Sequence, residues 1–279
     1  MNKIYSALTK LPAYIRNFGV YHGIRLAYRI ENISNTAAKS DKISKYYLPN
    51  YRKYIYLRDS VADHATFWQC LVKNQYDFKQ FPQSNQLNSE YNRLVNSGQT
   101  PLIIDCGGNI GLASFWYAHC FPNAKIVVIE PDQANLEVLR QNLSCFGDRI
   151  VILKGGIWNE KGFLKISNPN SGSAAFRLEL IDGKSDNSIR CYTIREVCDV
   201  ANNDKPFIVK IDIEGSQKYL FKDNTEWVNN TNLITLELDD WLLPWQGTSR
   251  NFFSCLSQYP FDYILNGESI FCFRDFSNS

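Results

Sequence analysis

From Pro101 onward, short apolar runs alternate with stretches whose apolar positions recur every three or four residues. Leu102-Ile103-Ile104, bounded by Pro101 and a glycine turn, has the continuous apolarity of a parallel strand buried on both faces. A helix opening at about Ile110 runs to Phe121 and is stopped by Pro122-Asn123. A second strand, Lys125–Glu130, leads through Pro131-Asp132 into a helix over Gln133–Phe146 that Gly147 ends. Strands follow at Ile150–Lys154, Pro206–Ile211 and Leu233–Leu238, with a helix near Ser249–Gln258. Two last strand patterns flank Asn266-Gly267, the strongest short hairpin signal. The expected fold is therefore α/β: a seven-stranded, mostly parallel sheet closed by an antiparallel C-terminal hairpin. Only about 161–193 breaks the alternation. There Phe163–Ile166, Ala175–Leu178 and Ile189–Tyr192 read as short strands of a small β insertion, with Gly172-Ser173 reaching toward the site.

Ahead of this domain, assigned to 101–279, the patterns change twice. In residues 1–45, Ile4, Leu8, Leu11, Ile15 and Phe18 form a helical stripe, and a second helix over Val20–Ile30 carries Arg25 and Arg29. Pro12 is expected to kink or split the first helix, and Ser34–Ser44 reads as a linker. Residues 46–100 are rich in Tyr, Phe and Trp and read as a helical cap, with Ser60 or Asp63 capping a helix that carries Phe67, Trp68 and Leu71. Arg58 and Asp63 are minor site candidates.

Composition narrows the setting. At 279 residues and 44% hydrophobic, the chain can bury one substantial core with an appendage. The longest apolar runs are of strand length, no secretory leader is evident, and eight scattered cysteines include no Cys-x-x-Cys pair. A cytoplasmic protein with reduced thiols is expected, with neither a zinc site nor a disulfide framework. Residues 1–58 hold eleven Lys/Arg against Glu31 and Asp41, a balance of +9 that leaves −7 for the remainder of a +2 chain. The basic arm is a candidate for peripheral contact with an anionic membrane, for holding an acidic substrate, or for packing on its own body or a second copy.

The chemistry sits at strand ends. Asp105 heads the turn Asp105-x-Gly107-x-Asn109-x-Gly111, whose glycines permit a sharp turn and a close approach of backbone to ligand. Glu130, 25 residues on, ends the next strand where an acid can bind ribose hydroxyls. Dinucleotide folds use G-x-G-x-x-G, but here Leu112 stands where the last Gly or Ala belongs. An acid-headed turn suits a cationic ligand better than a diphosphate, which points to S-adenosylmethionine. After the third strand, Gly156 and Ile157, or Trp158, are placed to flank its adenine. Pro206-Phe207-Ile208-Val209-Lys210-Ile211-Asp212-Ile213-Glu214-Gly215 brings two carboxylates and a lysine to the switch point. Asp212 would face the sulfonium or the acceptor, with Glu214 or Lys210 in the proton path. Alternatively, Glu214 caps the following helix. Asp212 with Glu237 or Asp239 would also suit a Mg²⁺ ion that acidifies a hydroxyl.

Residues from about Tyr46 to Phe273 resemble the FkbM family of S-adenosylmethionine-dependent O-methyltransferases. The matching stretches are Ile104 to Gly111, Val128-Ile129-Glu130-Pro131-Asp132, Lys210 to Gly215 and, more loosely, Arg58 to Asp63. The resemblance implies a Rossmann-like class I methyltransferase fold, cofactor contacts from those motifs including Pro131, and methyl transfer to a hydroxyl. A sugar hydroxyl in surface-glycan or glycosylated-product assembly is the expected acceptor. Gly108 replaces the family's frequent Ala, a harmless change on this reading, and residues 1–45 lie outside the resemblance. Other acceptors, nucleic acid included, and a degenerate S-adenosylmethionine-binding module are the alternatives. Nucleic acid is disfavoured because the fourth strand lacks an Asn/Asp-Pro-Pro-Tyr end and the body is acidic. A homo-oligomer is compatible with the pattern.

Overall fold

In a computed structural model the described residues are 3–31, 40–166, 178–185 and 188–275. Helices α1 (Lys3–Phe18) and α2 (Val20–Glu31) open the chain. Pro12 lies inside an unbroken α1, and the break falls instead at Gly19, whose φ of 77° leaves the helical region. Tyr14 and Phe18 are buried against the rings of Phe67 and Trp68, so the arm packs on its own body. Its outer side leaves Val20, Tyr21, Ile24 and Tyr28 exposed.

The next segment departs from the expected linker and helical cap. Strands β1 (Ser40–Leu48) and β2 (Lys53–Asp59) form an antiparallel hairpin. The physical reason is a two-residue period among the aromatics. Tyr46, Leu48, Ile55 and Leu57 point inward, while Tyr47 and Tyr54 point out. Helix α3 (Val61–Phe67) follows, capped by Ser60, whose hydroxyl accepts from the Asp63 amide. A π-helical turn at Trp68–Val72 and helix α4 (Gln83–Asn96) complete this part.

The main domain runs β3 (Leu102–Cys106), α5 (Leu112–Cys120), β4 (Lys125–Glu130), α6 (Gln133–Leu143) and β5 (Ile150–Lys154). The helix expected to reach Phe146 gives way to a 3₁₀ turn at Ser144–Arg149. Strands β6 (Gly156–Ile157), β7 (Gly162–Ile166), β8 (Leu178–Ile181) and β9 (Ile189–Tyr192) form the insertion, a separate sheet in the order β6-β9-β7-β8. Of the expected strand Ala175–Leu178 only Leu178, the first residue of β8, is described; the rest, with Gly172 and Ser173, falls outside the described residues. Then come α7 (Ile194–Ala201), β10 (Pro206–Ile211), α8 (Gln217–Leu220), β11 (Leu233–Glu237), α9 (Arg250–Leu256), β12 (Phe261–Asn266) and β13 (Ser269–Arg274).

The large sheet has the order β12-β13-β11-β10-β3-β4-β5, parallel from β11 to β5 and antiparallel at β13 and β12. Every residue of β3 and β10 is buried, as central strands covered on both faces require. One apolar layer holds Ile103, Phe115, Val128 and Leu139 together with the arm and hairpin, and the other holds Ile104, Val197, Leu220 and Phe252. No helix among the described residues is long and apolar enough to cross a membrane.

One buried amide joins the hairpin to this core. Asn142 accepts the Tyr56 amide at 2.6 Å and donates to the carbonyls of Tyr56 and Ile110 at 3.0 and 2.8 Å. Asn142→Ala would leave one donor and two acceptors without their partner, and is expected to cost about 2 kcal/mol in chemical denaturation.

Candidate active site

The centre of the site is a lysine with no access to water. Lys210 projects from β10, donates to the Gly107 carbonyl at 2.6 Å, and lies 3.0 Å from Asp105 and 3.5 Å from Asp212. Burial works against its charge, but Asp105 and Asp212 outweigh burial and hold its pKa above the ordinary lysine value. Lys210 therefore stays an ammonium and cannot accept a proton, so the expected role in the proton path gives way to an electrostatic one.

Asp105 does not reach the cleft. Within β3 it shares a face with Ile103, is fully buried, and accepts from Ser114 of α5 at 2.6 Å. Its charge is matched by Lys210, so it fixes the lysine and presents nothing to a ligand. Asp212 is different. It stands at the exit of β10 with its side chain 36% exposed, and its amide donates to the Cys106 carbonyl at 3.0 Å. The Asp212 carbonyl fills the space beside Gly107, where a Cβ would sit 1.9 Å from it, at a φ of 84°. Glycine is thus required at 107 by the crossing of two strand ends, not by room for a ligand. Gly111, too, is closed by Leu139 and Leu143 of α6, and a Cβ on Gly108 would lie 2.2 Å from Val128. The absence of Ala at 108 is thus a local packing requirement.

Glu237, considered above only as a metal ligand, becomes the most interesting titratable group. It ends β11 next to β10, accepts from Gln75 Nε2, and feels the charge of Asp212. Burial first, then Asp212, raises its pKa from 4.5 to about 8. Gln75 also donates to Ser269 at 3.1 Å, and the buried Tyr76 ring lies 5.9 Å from the Lys210 ammonium. The segment after the π-helical turn thus forms one wall of the site. Nothing in the sequence pairs Gln75 with a carboxylate 162 residues away.

The remaining candidates take other positions. Glu214 adopts φ 48° in the turn before Gly215, and Ser216, not Glu214, precedes α8 as its cap residue. Asp239 accepts from the Gly215 amide at 2.5 Å and from Gln217 at 2.6 Å, which fastens the 213–217 turn. Of the acids named for Mg²⁺, Asp239 is thus engaged in this turn, while Asp212 and Glu237 stand at the exits of the adjacent strands β10 and β11. Among the described residues no three His, Cys, Asp or Glu side chains are arranged to hold a metal ion. Glu130 is buried at the end of β4 and accepts from the amides of Asn109 (2.7 Å) and Asp132 (2.9 Å) and from Asn135 (3.3 Å). It braces the glycine turn from behind and is 4% exposed, and burial raises its pKa to about 7. Arg58, paired with Asp63 at 2.7 Å, donates to Asn135 at 2.7 Å and extends the brace to the hairpin. Ile157 is in the core, and Trp158 stacks on Tyr219 at 4.4 Å, so neither side chain presents a free face for adenine. Gly156 is buried in β6, while Asn109 and Pro131 remain partly exposed at the rim.

The arrangement fits a cation. Asp105 and Asp212 outnumber the one lysine between them, so the strand tips carry excess negative charge, which Glu237 increases when it ionises. That suits the sulfonium and ammonium groups of S-adenosylmethionine and opposes a diphosphate.

The sheet order, with its reversed final pair and a glycine turn after the central strand, defines a class I, Rossmann-like methyltransferase fold. The model of the methyltransferase FkbM domain matches residues 105–245, and the chain belongs to that family. Among curated proteins it is similar to the hexuronic acid methyltransferase AglP of Haloferax volcanii, 23% identical over 145 residues, or 52% of this chain and 59% of that protein. It is also similar to methyltransferase sdnD of Sordaria araneosa, 39% identical over 51 residues, or 18% and 20% of the two chains. These matches span less than two thirds of either relative. Among solved structures, a putative caffeoyl-CoA O-methyltransferase from Staphylococcus aureus aligns over 75% of this chain and 98% of its own, with 13% identity and a TM-score of 0.38.

Two outcomes test the site's electrostatics. Lys210→Met strands Asp105 in the core and is expected to destabilise the fold by about 3–5 kcal/mol in denaturant titration. Glu130 and Glu237 titrate near 4.5 when unfolded and near 7 and 8 when folded, so the unfolded chain loses their protons first. Their contribution to stability should therefore be fully present below about pH 4.5 and fall as pH climbs to 8, and Glu237→Gln should flatten that decline in melting temperature.

Proposed function

We propose that this protein is an O-methyltransferase that moves a methyl group from S-adenosylmethionine to a sugar hydroxyl, with Glu237 as the proton acceptor. The observation that carries the reading is the pair Asp212 and Glu237 at adjacent strand exits, one half-exposed and one holding its proton to about pH 8. The cofactor would supply an electrophilic methyl group on a sulfonium, for which Asp212 and the rim residue Asn109 are the candidate holders. Asp212 fixes the positive charge and orients the hydroxyl. Ionised Glu237 takes the hydroxyl proton as the new O–CH₃ bond forms and the C–S bond breaks. Gln75 holds the carboxylate in place, and Lys210, 3.5 Å from Asp212, positions that second acid. Similarity to a hexuronic acid methyltransferase supports a sugar acceptor, and no metal is needed for this route.

A base with a pKa near 8 gives a rate that rises through that pH. In a radiolabelled methyl-transfer assay on a panel of sugar acceptors, kcat/KM is expected to climb from pH 6.5 to 9. Glu237→Gln should lower it about 100-fold or more and remove the alkaline rise, with S-adenosylmethionine binding retained in calorimetry. Full activity of Glu237→Gln, or methylation of a small phenol with no sugar accepted, would sink the assignment.

A further inference from the structure

Beside the 212–216 turn lies a second feature that the chemistry above leaves unused. Helix α8 and residues 245–251 border an open pocket of about 310 Å³ lined by Lys218, Tyr219, Lys222, Trp245, Arg250 and Asn251. No carboxylate lines it. Among the described residues Lys218 and Arg250 take part in no ion pair, and Lys222 has only Asp223 at 3.9 Å, both well exposed. Three cations line one pocket with no carboxylate among its lining residues, which is the electrostatic setting of an anion site.

The aromatic side of the cavity points the same way. Trp245 is wholly exposed and adopts φ 67°, a left-handed conformation that a bulky side chain rarely takes. The loop thus holds an indole in water at a conformational disadvantage, with no internal packing to offset it. Tyr219 is held by stacking on Trp158, and the Lys218 ammonium sits 4.7 Å over its ring. The cavity is also coupled to the strand tips. Leu243 and Thr248 of the same loop close over Gly215, and Asn251 donates to the Lys218 carbonyl at 2.6 Å.

We propose that this cavity binds an anionic group of the acceptor, a phosphate, diphosphate or carboxylate borne beside a sugar ring, with Lys218, Lys222 and Arg250 on the charge and Trp245 against a ring face. The inference rests on the sugar-methyltransferase reading and adds that the acceptor is a charged glycoside. It also explains how an acidic body could retain an acidic substrate: the negative strand tips and the basic cavity are separate, so each pole of the reaction meets its complement.

Calorimetry on the full chain with UDP-glucuronic acid as probe, methyl glucoside as neutral comparator and S-adenosylmethionine as control tests it. The probe should bind, weaken with salt, and lose about tenfold or more in affinity in Lys218→Ala/Arg250→Ala, with S-adenosylmethionine binding unchanged. Trp245→Gly should weaken the probe while the melting temperature holds or rises, the reverse of what a packing residue would show. Equal probe affinity in wild type and double variant overturns the proposal, as does equal binding of the neutral comparator. Dependence on these side chains only for co-sedimentation with phosphatidylglycerol vesicles, without probe binding, overturns it too by assigning the charge to a lipid surface. Loss of the probe in the double variant of a protein that never binds S-adenosylmethionine would keep the anion site and discard the methyltransferase reading.

Discussion

The buried ammonium of Lys210 is the constraint from which the site follows. An unpaired charge inside a central strand would be intolerable, so the surroundings must supply partners. They do so from three directions: Asp105 on β3, the Gly107 carbonyl in the turn, and Asp212 at the end of its own strand. Meeting all three forces the ends of β3 and β10 together until the Asp212 carbonyl lies where a side chain on residue 107 would be. The bare turn, the half-exposed Asp212 and the polarity of the cleft are consequences of satisfying one charge.

The parallel strands were legible because strands buried on both faces read as unbroken apolar runs, and Asn266-Gly267 located the terminal hairpin. The N-terminal hairpin was not. Its turn uses Arg52 at φ 53° where a glycine or asparagine would have announced it, and its alternation is carried by tyrosines that also suit a helical cap. Among the site acids, position along the chain was readable but direction was not. Asp105 and Glu130 were read as ligand contacts because they end strands, yet one faces α5 and the other faces the amides of the turn. The two-residue period of β3 placed Asp105 with Ile103, a cue present in the sequence. For Glu130 no such cue existed, because its partners depend on how the turn folds back.

A second layer holds this geometry from outside. The chain Arg58, Asp63, Asn135 and Glu130 ties the hairpin, α3 and α6 to the back of the glycine turn. Asn142 adds a second tie two turns along the same face of α6. The hairpin is therefore a brace for the motif it precedes.

The arm reaches further than its basic surface suggests. Asn17 on α1 donates to the Val72 carbonyl at 2.6 Å and accepts from Asn74 at 2.8 Å, and the next residue, Gln75, holds Glu237. The first helix is thereby tied, through Val72, Asn74 and Gln75, to the wall of the site beside a carboxyl group it never touches.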